Sequence, residues 1–394
     1  MHRNPPTRQE KTMPDLISRA EALTPSLRAR AAELDEARQL PADLVAELKE
    51  AGFFRMFVPR SHGGHEADLR TGMTVLETLA TADPAVGWTV MIGSETPQLL
   101  AFLARETFDK MYAAGPDVIV AGGFSPQGTA VPAGDGYLVD GRWAFGSGST
   151  HADWIFGNCV VPPPPPAGST DGPPPLRSVL VPASQARVVD TWRVLGLLGT
   201  GSHDVEIRGV QVPAEHTFDL FAGVPSIPGP GFTAPLMHFV LHLGAVATGI
   251  AQGALDATVT LAGEGKHRLY ARSRLADSQL FQVGLGRSDL TLRAARALLA
   301  TTADEVWTLC SSNPAGLPAI GPRVSATLTW VTDAALSVVD TCYRTAGGQA
   351  ARDSSPIQRR FRDMHTFSQH AAAAEGWLGG HGTAILGETG GLSY

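Results

Sequence analysis

The stretch GYLVDGRWAFGSGSTHADWIFGNCVV, residues 136–161, carries the most information about the fold. Asp140-Gly141 is typical of a tight hairpin turn between two strands. The strand after this turn ends in glycines and hydroxyl residues, namely Ser147, Gly148, Ser149 and Thr150. Glycines let backbone N–H groups approach a flat ring closely, and hydroxyls supply adaptable donors and acceptors. Trp143 and Phe145 flank the cluster and could stack on an aromatic ring system, although a Gly/Ser turn beside a core aromatic explains it equally.

The residues around this stretch predict an α+β fold with a helical, then a β, then a helical block. Short apolar runs separated by Gly, Pro and Asp indicate a small barrel or sandwich over residues 116–220. Helical periodicity marks residues 14–115 before it and 221–394 after it. Residues 1–13 are polar and are predicted to be a disordered leader. The proline-rich segment 161–176 is predicted to be an exposed hairpin insertion, because consecutive prolines cannot pair in a sheet.

The composition excludes several functional classes. The chain has 394 residues, which predicts two or three structural units. Its net charge of −7 argues against a broad nucleic-acid interface. No run of 18 uninterrupted apolar residues is present, so no membrane span is expected. Three cysteines without CxxC spacing fit free thiols in a reducing cytoplasm.

Common catalytic signatures are missing from the sequence. It contains no GxGxxG, GxxxxGK[ST], HExxH or GxSxG motif. His238 and His242 have the i,i+4 spacing that could place two metal ligands on one helix face. Their flanks, MHFVLHL, are apolar and offer no third ligand, so a role in the core or in a pocket wall is favoured and no metal is predicted.

Four segments together carry a resemblance to a known family. Besides residues 136–161, they are TWRVLGLLGTGSHDVEIRGVQVPAEHTF (191–218), PRSHGG (59–64) and IQRRFRDMHTFSQHAAAAEGWLGGHGTAILG (357–387). In order and spacing they resemble the acyl-CoA dehydrogenase fold, in its branch of two-component flavin-dependent monooxygenases (group D, oxygenase component). The resemblance covers nearly all of residues 15–390.

The resemblance implies an N-terminal helical domain, a central β-barrel and a C-terminal four-helix bundle, assembled as a homotetramer. It implies reduced FAD or FMN, with FAD slightly preferred, supplied by a separate NAD(P)H-dependent flavin reductase. O2 would be the co-substrate, and a C4a-hydroperoxyflavin would hydroxylate a small phenolic or indolic molecule. No nucleic-acid or membrane partner is implied.

The resemblance also assigns roles to individual residues. Ser147 would lie near flavin N5 and His370 near the peroxide, both as catalytic residues. Further flavin contacts would come from Trp143, Phe145, Gly148, Ser149, Arg268, Arg344, Gly347 and Gly348, the last three reaching a neighbouring subunit's cofactor. The substrate pocket would be walled by Trp88, Met91, Ser94 and Glu95 on one segment, and by Leu236, Met237, His238 and His242 on another. For each of these residues, a surface, core or capping role is the alternative.

One position separates the two chemistries of this fold. Dehydrogenases place a glutamate base shortly after the Arg-Asp pair, and this sequence has Ala371 there, directly after His370. An alanine cannot accept a proton, so an oxygenase is favoured. Glu264 or Glu375 would be the substitute base of a dehydrogenase. Oxygenation at nitrogen or sulfur, an acyl-CoA dehydrogenase and a non-catalytic scaffold remain the alternatives.

Overall fold

The computed structural model describes residues 15–162, 174–265 and 273–388. The predicted leader, most of the proline-rich segment and Arg268 lie outside these described residues. The described residues form thirteen α-helices: α1 Leu16–Ala29, α2 Ala31–Ala37, α3 Ala42–Glu50, α4 Leu69–Ala82, α5 Pro84–Ser94, α6 Thr96–Leu100, α7 Arg105–Met111, α8 Pro230–Thr233, α9 Pro235–Gly263, α10 Gln279–Ser312, α11 Leu317–Ala346, α12 Pro356–Phe367 and α13 Gly376–Ile385. Their seven strands are β1 Val120–Ala133, β2 Gly136–Gly146, β3 Trp154–Val160, β4 Leu176–Pro182, β5 Arg187–Val189, β6 His203–Pro213 and β7 Thr217–Phe218.

The order of elements confirms the α+β class, with the strands between two helical blocks. The strands form one sheet in the order β5-β6-β2-β1-β3-β4-β7. All neighbours are antiparallel except β1 and β3, which are parallel. Val181 of β4 and Val205 of β6 share one apolar cluster, although three strands separate them in the sheet. The sheet therefore wraps around its core as an open barrel.

Trp143 fills the centre of this barrel, which contradicts the prediction that it stacks on a bound ring. Its side chain is fully buried, and its indole N–H donates to the carbonyl oxygen of Asn158 at 2.8 Å. Glycines of its own strand and of β3 make the room for the indole. A Cβ on Gly141 or Gly157 would lie 2.5 Å from an indole carbon. The indole is therefore a core side chain and is inaccessible to a cofactor.

A backbone irregularity separates Phe145 from Trp143. Residues i and i+2 of a regular strand point to the same face, so both aromatics would otherwise point inward. The pairing of β2 with β6 shifts register between Trp143 and Gly146, and Phe145 has a left-handed φ of 66°. Such a bulge re-aims a side chain. The Phe145 ring consequently lies outside the barrel, 71% exposed.

The C-terminal block packs three long helices, α9, α10 and α11, with the shorter α12 and α13. Helix α9 is long and apolar enough to cross a membrane, but 72% of its apolar window is buried inside the fold. It contacts α4 and α5 as well as α10, α11 and α12. Its apolar composition is therefore explained by its place at the centre of the protein.

Helix α12 clamps the three blocks together with buried charged side chains. Arg360 donates to the carbonyl oxygens of Ala80 and Ala82, which end helix α4. The Asp363 carboxylate accepts the backbone N–H of Leu197 at 2.7 Å. Satisfying backbone groups in this way offsets the cost of burying charge. Arg360 and Asp363 thus fix the walls of the cleft described next.

Candidate functional site

A cleft of about 1150 Å³ opens between the sheet, helix α5, and helices α9 and α12. Aromatic and aliphatic side chains make up most of its wall, and a few polar groups converge on it, as in sites for small organic ligands. Site residues predicted from sequence that line the cleft are Trp88, Glu95, Phe145, Ser147, Leu236 and His370. The structure therefore brings residues from all three blocks of the chain to one place.

Ser147 lies at the start of a directed chain of hydroxyl groups. The indole N–H of Trp88 donates to its Oγ at 3.0 Å, and Ser147 Oγ lies 2.7 Å from Ser202 Oγ. Ser202 is 2.6 Å from Thr200 Oγ1, which donates to the carbonyl oxygen of Leu197 at 2.8 Å. An indole N–H only donates and a carbonyl only accepts, so every hydroxyl proton points toward Leu197. Ser147 Oγ is left with one acceptor position.

His370 presents a neutral imidazole to the cleft. Its ring meets Trp88 edge-on at 5.6 Å and Phe239 at 5.9 Å. Burial lowers the pKa of His370 to about 4, so the ring is uncharged at neutral pH. Its Nδ1 accepts the backbone N–H of Ala372 at 3.2 Å. The ring proton is therefore on Nε2, which makes no hydrogen bond within the described part of the chain.

The glycine and serine after Ser147 support the turn instead of lining the cleft. Gly148 has a left-handed φ of 74°, and its N–H donates to the carbonyl oxygen of Thr200 at 3.0 Å. Ser149 is 4% exposed and its hydroxyl has no partner within the described residues. Direct flavin contact was predicted for both, and the structure assigns them to the backbone geometry that holds Ser147 against Thr200.

Helical phase decides which residues of α5 and its C-terminal end reach the cleft. Trp88, Ile92 and Glu95 line it, with the i, i+4, i+7 spacing of one helix face. Met91 and Ser94 are fully buried off this face, and the Ser94 hydroxyl donates to the Met91 carbonyl at 3.1 Å. The predicted substrate contact is therefore wrong for Met91 and Ser94.

Except for Leu236, the predicted residues of α9 lie behind the wall of the cleft. Met237 and His238 do not line the cleft, and His238 Nε2 is 3.8 Å from Cys310 Sγ in the core. His242 is fully buried, and its Nδ1 is 2.5 Å from Glu95 Oε1. In the described ranges no group of three His, Cys, Asp or Glu side chains could hold a metal. The two histidines are thus core and supporting residues. The predicted direct contact with substrate is wrong for Met237, His238 and His242.

The residues predicted to reach a neighbouring subunit lie elsewhere. Gly347 and Gly348 line a second cleft of about 1230 Å³, which shares no lining residue with the first. Arg344, in the last turn of α11, is exposed and donates to the Asp340 carbonyl at 3.3 Å. Within one chain these residues are separate from Ser147 and His370, and their predicted role in another subunit's site remains a prediction.

Several cleft residues were missed by the sequence analysis. They are Thr200, Ser202, Trp192, Phe239 and Trp377. Thr200 and Ser202 could have been predicted from the quoted GTGSHD segment. Their i,i+2 spacing places two side chains on one face of an extended chain. His203 and Asp204 have structural roles: His203 Nδ1 accepts the Trp192 N–H at 3.1 Å, and Asp204 pairs with Arg142.

Comparison with known families agrees with this architecture at both ends of the chain. Residues 19–111 match the acyl-CoA dehydrogenase N-terminal domain, and residues 241–375 match the acyl-CoA dehydrogenase C-terminal domain. These matches contain helices α2–α7 and α10–α12, which flank the sheet.

Relatives of known name narrow the family further. The chain is 32% identical over 347 residues to indole-3-acetate monooxygenase of Pseudomonas putida, covering 87% of this chain and 86% of the relative. It is 30% identical to the flavin-dependent monooxygenase oxygenase subunit HsaA of Rhodococcus jostii, covering 90% and 94%. The crystal structure of 3-HSA hydroxylase from Rhodococcus sp. RHA1 superposes with a TM-score of 0.87 at 28% identity, covering 95% and 98%. The chain therefore belongs to the flavin-dependent monooxygenase oxygenase components that are built on the acyl-CoA dehydrogenase fold.

Proposed function

We propose that this protein is the oxygenase component of a two-component monooxygenase that hydroxylates a small phenolic or indolic molecule. The observation that carries the proposal is the meeting of a serine hydroxyl and a neutral imidazole on one tryptophan, Trp88, in an apolar cleft. A reduced flavin bound there would supply the electrons that activate O2, and exclusion of water by the apolar wall favours productive use of the oxygen.

The residues of the cleft fit a flavin. Phe145 offers an exposed aromatic face at the mouth, held out by a left-handed backbone conformation. Ser147 has one acceptor position, which suits the N–H that a reduced flavin ring carries and an oxidised one lacks. His370, as a neutral Nε2–H donor, is suited to hold or pass a proton beside the substrate.

The dehydrogenase alternative lacks a base in the proper place. Ala371 lines the cleft, and its carbonyl oxygen accepts the indole N–H of Trp377 at 2.9 Å. Glu264 lines the second cleft, and Glu375 is exposed at the start of α13. The remaining carboxyl of the described wall, Glu95, lies two helical turns from Trp88, which places it away from the Ser147–His370 pair.

The assembly is proposed on the same basis. The described chain offers a flavin site and no motif for a nicotinamide, so an NAD(P)H-dependent reductase would supply the reduced flavin, with FAD preferred over FMN. A homotetramer would bring Arg344, Gly347 and Gly348 to a neighbour's cofactor. Cys159, Cys310 and Cys342 are free and buried, which fits work in the reducing cytoplasm.

The decisive experiment mixes the protein with a separate flavin reductase, NADH, FAD or FMN, labelled O2, and a panel of phenols and indoles. The proposal expects one labelled oxygen atom in the product, and tighter binding of the reduced than of the oxidised flavin. Reduction of bound flavin by CoA thioesters, without oxygen in any product, would instead support the dehydrogenase. Failure to bind either flavin form would support a non-catalytic scaffold.

A further inference from the structure

Glu95 and His242 form a buried pair at the end of the cleft. The Glu95 carboxyl lines the cleft with 12% of its side chain exposed, and fully buried His242 lies behind it. Oε1 of Glu95 is 2.5 Å from Nδ1 of His242. The carboxyl is thus held from the side that faces away from the ligand.

The surroundings of His242 fix the orientation of its ring and determine which ring nitrogen carries the proton. Its ring stacks on Phe57, with centroids 4.8 Å apart and planes at 18°. Its Nε2 is buried without a partner in the described chain. A buried N–H without an acceptor is rarer and costlier than a bare acceptor, so the proton of the neutral ring belongs on Nδ1. His242 therefore donates to Oε1, and Oε2 of Glu95 is left for a ligand.

The charges of this end of the cleft favour an uncharged ligand. Burial raises the pKa of Glu95 and lowers the pKa of His242 to about 3, so the pair offers no positive charge at neutral pH. Neither Lys nor Arg is present among the described residues of the wall. A carboxylate on the ligand would lose its hydration there without gaining a positively charged partner from the described wall.

A second polar group points to the same kind of ligand. Gln98, one turn beyond Glu95, lines the cleft, is 4% exposed, and has an amide oxygen without a partner in the described residues. The Gln98 amide oxygen is an acceptor, and Oε2 of Glu95 is an acceptor when the carboxyl is ionised and a donor when it is protonated. Two polar groups that can engage a ring N–H or hydroxyl thus lie on one wall. Trp88, which contacts Ser147 and His370, precedes Glu95 by seven residues, or about 10 Å along a helix. A fused bicyclic ring fills that distance.

We propose that Glu95, held by His242, binds the ring N–H or hydroxyl of an uncharged aromatic substrate, and so selects indole- and phenol-type molecules over their carboxylated derivatives. The inference rests on the proposed function, because it names the substrate class of the same cleft. Its chemistry is recognition only: the hydrogen bond orients the ring, with the opposite end toward His370 and Ser147.

Binding to the flavin-free protein, measured by calorimetry, tests this without turnover. The probes are two pairs, indole with 1-methylindole and phenol with anisole, together with indole-3-acetate. Removing the donor should weaken binding by about tenfold, the contribution of one hydrogen bond to a buried acceptor. Indole-3-acetate should bind more weakly than indole. The variant Glu95→Leu/His242→Phe, which removes both polar partners together, should bind both members of each pair equally.

The matched control is Ile92→Val on the same helix face, which should keep the preference within each pair. Equal affinities within both pairs for the wild-type protein, tighter binding of indole-3-acetate than of indole, or no binding of any probe would overturn the inference. The results also distinguish a failure of this inference from a failure of the proposed function. A protein that hydroxylates an aromatic without preferring the donor of each pair retains the function, whereas one that prefers it but binds no flavin loses only the function.

Discussion

The indole N–H of Trp88 donates to the hydroxyl oxygen of Ser147 at 3.0 Å, and this bond joins helix α5 to the end of strand β2. Both groups are buried, so each depends on the other for its hydrogen bond. Because the bond sets the direction of the chain through Ser202 and Thr200, it also leaves one acceptor position on Ser147.

Replacing Ser147 with alanine should damage both stability and flavin binding. The variant leaves the Trp88 N–H and the Ser202 hydroxyl without their partner, which costs about 1–3 kcal/mol of unfolding free energy. Binding of reduced flavin should weaken by about tenfold, because one hydrogen bond is lost. Urea unfolding and anaerobic fluorescence titration measure the two effects.

Ser149→Ala is the matched control for that experiment. Ser149 is equally buried, two residues along, but its hydroxyl has no partner among the residues that the structure describes and does not line the cleft. Its removal should change stability little and leave flavin affinity as in the wild type. Equal weakening of flavin binding by both variants would remove the special role of Ser147.

Phe145 should show opposite effects on stability and on binding when changed to glycine. A left-handed φ costs a non-glycine residue about 1 kcal/mol, and glycine adopts it freely, although glycine also gains entropy in the unfolded chain. We therefore expect Phe145→Gly to unfold at nearly the wild-type urea concentration or slightly above it. Flavin affinity should fall, because the exposed ring that meets Trp192 edge-on at 6.3 Å is lost. A large loss of stability with unchanged flavin affinity would contradict this.

The contrast between Phe145 and Trp143 shows where prediction from sequence succeeds and where it stops. Residues 136–161 predict a hairpin and a polar turn, and those are local properties of glycine, hydroxyls and alternating apolar residues. The burial of Trp143 depends on glycines of other strands, such as Gly128 of β1 and Gly157 of β3, which approach its ring only in the folded sheet. Gly122, Gly123 and Gly128 also interrupt the apolar pattern of β1, so its fourteen residues do not show the alternation of one long strand.

The resemblance to a known family predicted some individual residues of the cleft, but it did not predict the whole wall. Ser147, His370, Trp88 and Glu95 line it, while Met91 lies off the helix face that reaches it. A resemblance identifies a segment, but helical phase and packing decide which side chains face the ligand. The Glu95–His242 contact joins residues 147 positions apart in the chain. The sequence around each of them does not predict that they meet.

His370→Ala should uncouple oxygen use from product formation without unfolding the protein. The imidazole sits at the cleft surface between Trp88 and Phe239, so its loss leaves a space that water can enter. We expect flavin to bind nearly as before and the product formed per O2 consumed to fall severalfold, with peroxide as the balance. An oxygen electrode and a peroxide assay measure this ratio.

His365→Ala separates a specific effect of His370 from a general one. His365 also lines the cleft, five residues earlier, but its Nε2 is engaged by Asp340 at 3.0 Å. Product yield per O2 should fall less in this variant than in His370→Ala. If the two variants uncouple equally, the ring of His370 has no particular role in the reaction.

His151 should make stability depend on pH below 6.5. It lies in the turn between β2 and β3, and neither ring nitrogen has a partner in the described chain. Burial, with a smaller contribution from Lys49, lowers its pKa from 6.5 to about 4. Between these two pH values the unfolded chain binds a proton that the folded chain refuses, so this contribution to stability is complete above pH 6.5 and is lost as the pH falls toward 4.

The comparison of wild type with His151→Leu isolates this contribution. Burial raises the pKa values of Glu95 and Asp363, and these carboxyls change stability in the opposite direction as the pH falls. Both chains share them, so they cancel in the difference. The unfolding free energy of His151→Leu relative to wild type should therefore rise by on the order of 1 kcal/mol for each pH unit below 6.5. Urea unfolding at about pH 7.5, 6 and 5 measures this difference. A difference that stays constant with pH would mean that His151 accepts its proton in the folded protein.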